Sequence, residues 1–147
     1  MNGKEHATIG VIAACGVGVF LSYQTQHQPS VAEICGWAAG GLLGAKLPDV
    51  FEPAIHPRHR KFCHRGTVLA SELAVMQSAN LRRWIENLRD EATRHRTKAL
   101  IDPNAASSHL LAALFLEFLV GLLPGLISGY ASHLIADCTT PCGIPSI

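Results

Sequence analysis

Charge is scarce in this sequence. Asp, Glu, Lys and Arg make up 16% of its 147 residues, against roughly 25% in an ordinary soluble domain. The formal net charge is +1, so no strong field marks nucleic acid as a partner. The five cysteines contain no Cys-x-x-Cys pair, which argues against a structural zinc knuckle. Their number is odd. Cys15 and Cys35 sit inside apolar runs, where a free thiol behaves as a small hydrophobe, and Cys138 and Cys142 fall in a Pro/Gly-rich tail. This usage reads as reduced thiols rather than a disulfide framework. No β-type alternation of any length occurs, so a sheet is not expected. The N-terminus also lacks the marks of a signal peptide: its basic region is weak, with Lys4 beside Glu5, and no small-x-small cleavage site follows.

What is present is apolar and helical in pattern. Apolar residues are 48% of the chain, enough for one domain with a real core over residues 1–147. Three apolar stretches cover residues 7–23, 31–47 and 110–136. A polar region, 48–108, separates the last two and holds every Lys and Arg except Lys4 and Lys46. The first two stretches are short for a bilayer span, which takes about 20 residues. They suit either buried helices of a bundle or short membrane-embedded helices. The third is longer, interrupted by Glu117 and Pro124, and fits one straight span or a helix kinked near Pro124. Gly36, Gly40 and Gly44 repeat every fourth residue, as do Gly121, Gly125 and Gly129. Each set makes a smooth helix strip where another backbone can approach closely; pairing of two copies of the chain is one use for such a face.

Within the polar region, Leu69, Leu73, Met76, Leu81, Trp84, Ile85 and Leu88 recur at helical spacing, which predicts one amphipathic helix over 67–96. Asp102-Pro103-Asn104 breaks the chain, and Ser107 or Ser108 is placed to cap the next helix. The expected fold is all-α, a bundle of about five helices.

Eight histidines are many for this length, and near neutral pH an imidazole is a ready metal ligand. His133 and Asp137 are four apart and share one face of an apolar helix. Two ionisable groups there are costly unless paired or ligated, and an imidazole and a carboxylate one turn apart can bind a zinc-type ion. In Lys46-Leu47-Pro48-Asp49-Val50-Phe51-Glu52-Pro53, two prolines fix a turn that sets Asp49 and Glu52 at a helix mouth; capping and solvation would use the same residues. In Ile55-His56-Pro57-Arg58-His59-Arg60-Lys61-Phe62-Cys63-His64, crowded cations keep the imidazoles neutral and able to ligate. A basic loop that binds anionic lipid is the rival reading. His6 opens the first apolar helix.

Together these blocks resemble the YdjM-like family of inner-membrane-associated metal-dependent hydrolases, over nearly the whole chain. The matching features are His6 before an apolar helix, Leu47-Pro48-Asp49 with Glu52, and His59-Arg60 with His64. The last are Gly129-Tyr130-Ala131-Ser132-His133 with Asp137, and Thr140-Pro141-Cys142-Gly143-Ile144-Pro145. The chain departs from the family at Cys63-His64-Arg65, where Thr-His-Ser is usual, and in the offset of Glu52. The family is similar in turn to zinc-dependent phospholipase C and the fungal zinc nucleases.

The resemblance implies a phospholipase C-like helical fold in which His6, Asp49, His59, His64, His133 and Asp137 hold one to three divalent ions, zinc foremost. A water with its pKa lowered by the ions would attack a phosphodiester, a phosphomonoester or a phospholipid. Arg60 would stabilise the developing charge, and Glu52, or Asp49 if it is not a ligand, would act as general base. The charge of region 48–108 would set the site on the cytoplasmic face of the inner membrane, among lipid. Two other readings use the same residues: a structural or sensory metal site in a small membrane protein, and a helical membrane assembly factor without metal.

Overall fold

The computed structural model describes residues 3–51 and 66–138. All the regular structure among them is helical: α1 (Gly3–Gln24), α2 (Val31–Gly44), α3 (Leu47–Phe51), α4 (Gly66–Gln77), α5 (Ala79–Ile101) and α6 (Ala106–Cys138). Five of these run twelve residues or more, and α3 is a five-residue turn of helix. The all-α bundle read from the sequence is therefore the fold.

Helix boundaries follow local chemistry. α1 ends where Gln26 adopts a left-handed φ of 51° and the His27 N–H donates back to Ser22 O at 3.0 Å. α2 then starts on Ser30, whose hydroxyl accepts the Glu33 N–H at 3.2 Å. The amphipathic helix expected over 67–96 is instead two helices. Ser78 takes an extended conformation (ψ 139°) and its hydroxyl accepts the Leu81 N–H, so it caps α5 and ends α4. Hydrophobic spacing alone runs on across this break because Leu81, Ile85 and Leu88 of α5 continue the helical period of the apolar residues before Ser78. Asp102 ends α5, held extended before Pro103, with its carboxylate accepting the Asn104 N–H at 3.0 Å. α6 begins at Ala106, so Ser107 and Ser108 lie in its first turn rather than capping it; the Ser108 hydroxyl donates to Ala105 O at 2.8 Å. The helix continues through Pro124.

α2 and α6 share the most extensive interface, and the two glycine stripes make it. A Cβ at Gly36 would meet the α6 backbone at Gly121, one at Gly40 would meet it at Gly125, and one at Gly44 would lie 2.9 Å from Tyr130 N. Residue numbers rise together along the contact, so the two helices are parallel and touch backbone to backbone. α1 crosses the same pair in the opposite direction: Gly10 meets Gly41 and Ala45, while Gly18 lies against the Trp37 ring. The glycine faces that might have joined two copies are thus occupied within one chain.

α5 returns along the first half of α6. Arg96 donates through Nε and Nη2 to the two carboxylate oxygens of Glu117, at 2.6 and 2.9 Å, so the charge inside the third apolar stretch is paired with a neighbouring helix. A second ion pair is deeper. Glu33 is 2% exposed; it accepts from Arg89 Nη2 at 2.7 Å and lies 2.8 Å from His27 Nε2. A buried carboxylate needs such partners, and these tie α5 and the α1–α2 turn to the start of α2. Between them, α1, α2, α4, α5 and α6 enclose a largely apolar cleft of about 510 Å³ floored by Glu33 and Trp37. Cys15 and Cys35 are both free thiols; Cys35 is exposed on α2.

Among the described residues, two helices are long and apolar enough to cross a membrane, over Lys4–Gln24 and Ala106–Asp137, and only 28% of the most apolar window of each is buried inside the structure. Ile12, Phe20, Leu111 and Phe115 are each more than half exposed.

Candidate metal centre

Antiparallel packing of α1 on α2 and α6 brings three helix ends together: the start of α1, the end of α2 with α3, and the end of α6. Each brings polar groups to this one end. His6 comes from the first turns of α1, Asp49 from α3, and His133 and Asp137 from the last turns of α6. His6, His133 and Asp137 are 4%, 1% and 2% exposed, although they are among the most polar residues of apolar helices.

Their spacing is that of ligands rather than of hydrogen-bonded pairs. His6 Nε2 lies 3.5 Å from Asp137 Oδ1, His133 Nε2 lies 3.5 Å from Asp137 Oδ2, and His133 Nε2 lies 3.6 Å from Asp49 Oδ1. An N–H···O bond is about 2.7–3.2 Å long. Two ligand atoms sharing a tetrahedral zinc-type ion at bonds of ~2.0–2.1 Å lie roughly 3.3 Å apart. The imidazole rings of His6 and His133 stack with centroids 4.0 Å apart, so neither ring separates the other from the carboxylate. One ligand atom from each of His6, His133 and Asp137 falls within 4.8 Å of the others. This buried group can hold a metal ion.

The surroundings orient one ligand. His133 Nδ1 is 2.7 Å from the Ala45 carbonyl oxygen, the residue that follows α2. A carbonyl only accepts, so Nδ1 carries the proton and the Nε2 lone pair points toward the carboxylates. Gly44 sets this contact by allowing the end of α2 to lie on α6. His6 Nδ1 is buried with no hydrogen-bond partner among the described residues. An uncompensated imidazole nitrogen at such a depth is costly, and because the nitrogen at ligand spacing from Asp137 is Nε2, an ion held there would not remove that cost. Asp49 differs from the rest: its side chain is 48% exposed, so it forms the open rim of the group.

Four of the six ligands expected from the sequence, His6, Asp49, His133 and Asp137, therefore converge. His59 and His64, together with Glu52 and Arg60, lie outside the described residues, as does the Thr140 to Pro145 block. Sequence reasoning missed the Ala45 carbonyl, and no side-chain signal could have revealed it, since a backbone acceptor is available at nearly every position. It also missed the Glu33–Arg89–His27 cluster, whose members are 56 and 6 residues apart in the chain and form no local motif. No protein-family model matches this chain, and neither a curated protein nor a solved structure matches it.

Proposed function

We propose that this protein is a membrane-associated, metal-dependent hydrolase that acts on a phosphoester, in line with the resemblance to the YdjM-like family. The observation that carries the reading is the ligand-like N···O spacing of 3.5–3.6 Å among His6, His133, Asp137 and Asp49 at one end of an apolar bundle. His6, His133 and Asp137 would hold a divalent ion, zinc in the first instance, because two imidazoles and a carboxylate suit it. A bound ion supplies Lewis acidity and lowers the pKa of a water ligand toward neutrality. Asp49, at the exposed rim, is placed either to complete the ligand set or to take a proton from the attacking water. Arg60, carried over from the matched block, would bind the phosphoryl oxygens through its planar fork. His59, His64 and Glu52 enter on the same ground, as further ligands and a general base.

Exposed apolar side chains support the membrane part. A helix in the core of a soluble protein is mostly buried, whereas most of each candidate span is not. α5 presents Arg82, Arg83, Glu86, Asp90 and Arg94 outward beside the first half of α6. The side of α6 next to α5 is accordingly flanked by water or headgroups, and the lipid-facing surfaces are the outer faces of α1 and α2 and the free side of α6, which carries Leu111 and Phe115.

The test combines metal analysis, turnover and fractionation. Purified protein should contain at least one transition-metal ion by mass spectrometry. It should hydrolyse a phosphodiester, phosphomonoester or phospholipid, and His133→Ala should abolish both metal and turnover. Arg60→Ala should lower turnover and leave the metal in place. Metal retained with no turnover on any of these substrates would point to a structural or sensory site instead. Protein that stays monodisperse in the supernatant after high-speed centrifugation without detergent would refute membrane association.

A further inference from the structure

A second pair of histidines lies well away from this centre. His95, in the last third of α5, and His109, in the first turn of α6, are both half-buried at the α5–α6 hairpin. Their Nδ1 atoms are 3.0 Å apart, and their rings are tilted by 55° with centroids 5.1 Å apart. The other nitrogen of His95, Nε2, faces Glu91 Oε1 at 3.7 Å, and Glu91 is held in turn by Arg94 Nη1 at 2.8 Å. A carboxylate on that side favours the proton on Nε2, which leaves the Nδ1 lone pair of His95 directed at His109. A carboxylate near one ring nitrogen favours the other nitrogen as a metal ligand; at 3.7 Å Glu91 acts here through its charge and not through a hydrogen bond.

We infer that His95 and His109 form a second, surface-accessible site for a first-row divalent transition metal, separate from the His6–His133–Asp137 group. The two Nδ1 atoms at 3.0 Å subtend about 97° at an ion ~2.0 Å from each. That angle is nearer the 90° of adjacent ligands in a tetragonal site than a tetrahedral angle, so the pair suits Cu²⁺ or Ni²⁺ above Zn²⁺, in the same direction as the affinity order of imidazole sites. Water fills the remaining positions. Without an ion, one proton bridges the two Nδ1 atoms; when the ion takes its place, that proton moves to His109 Nε2 through solvent. The ion would pin the hairpin close to the Arg96–Glu117 bridge.

The test uses the full-length chain without an affinity tag, stripped of metal and titrated with Cu²⁺ or Ni²⁺ by calorimetry. The wild type should take up one equivalent more than His95→Gln or His109→Gln. Glu91→Gln should keep the stoichiometry and weaken that equivalent by about tenfold or more. In the Cu²⁺ protein, the electron paramagnetic resonance spectrum should show superhyperfine splitting from two imidazole nitrogens that is lost in either histidine variant. Helix content by circular dichroism confirms that the variants fold. Wild-type stoichiometry and affinity in both folded histidine variants would overturn the assignment. Loss of the equivalent in His133→Ala but not in His95→Gln would overturn it too, by tracing the ion to the other centre.

Discussion

Replacing Gly40 with alanine should destabilise the protein although it adds a better helix former. The ideal Cβ would fall 2.7 Å from Leu126 N and 2.8 Å from the Gly125 carbonyl carbon, and closer still to Leu122 O. These are backbone atoms of α6 and cannot rotate away, so α2 and α6 must part by roughly 1 Å. A gap of that size forfeits a quarter to a half of each dispersion contact it opens, and overpacking of a tight interface costs about 1–3 kcal/mol. The gain in helix propensity from Gly to Ala offsets up to ~1 kcal/mol of this. The net expectation is a loss of about 1–2 kcal/mol.

Gly16 is the internal control, because a Cβ there meets nothing within 4 Å, so Gly16→Ala should be neutral or gain up to ~1 kcal/mol. For a chain of this size the two variants should differ in Tm by roughly 5–10 °C, read by circular dichroism under one set of solution conditions. Gly44→Ala adds a functional readout. It lifts the end of α2, and with it the Ala45 carbonyl, from His133, so metal affinity should fall along with Tm. If Gly40→Ala unfolds at the same temperature as Gly16→Ala, the two glycine stripes do not touch backbone to backbone and this account of the bundle is wrong.

Other consequences can be checked independently. Asp137→Asn should lose most bound metal by mass spectrometry because Asp137 lies 3.5 Å from both imidazoles, whereas Asp49→Asn, at the half-exposed rim, should lose less; equal losses would place Asp49 inside the ligand set. Arg96→Ala should cost about 1–2 kcal/mol in urea unfolding, because it removes both Arg96 hydrogen bonds from the Glu117 carboxylate and leaves it the Ser30 side chain, and Glu117→Gln in that background should recover part of it. No recovery would mean that the loss comes from the packing of the Arg96 stem. Glu72 gives a pH signature. Burial raises its pKa from 4.5 to about 7, and its Oε2 has no hydrogen-bond partner among the described residues. Between those values the folded state keeps a proton that the unfolded state has released, so this group makes stability fall as pH rises from about 4.5 to about 7. Glu72→Gln should flatten that slope in thermal unfolding between pH 5 and pH 7.5, and an unchanged slope would show that the carboxyl is solvated.

Much of the architecture was legible in the order of residues. The period of the apolar positions, the absence of alternation and the breaks at Asp102-Pro103 dictated helices, because these are local matters of side-chain spacing and backbone geometry. The i, i+4 relation of His133 and Asp137 was equally local, since one turn of helix brings them to one face whatever surrounds it. The break at Ser78 was not legible: a serine followed by apolar residues caps one helix or sits inside another, and packing against α6 decides which. The sequence showed two glycine stripes but not that they meet each other. Whether such a face binds its own chain or a second copy depends on helix direction, which follows from how the connections close.

The same holds for the metal centre. His6 and Asp137 are separated by nearly the whole chain, and only the antiparallel course of α1 beside α2 and α6 puts them 3.5 Å apart. The tertiary structure also decided the state of His133. Its side chain can carry the proton on either nitrogen, and the Ala45 carbonyl, 88 residues away, selects the tautomer that leaves a lone pair facing the carboxylates.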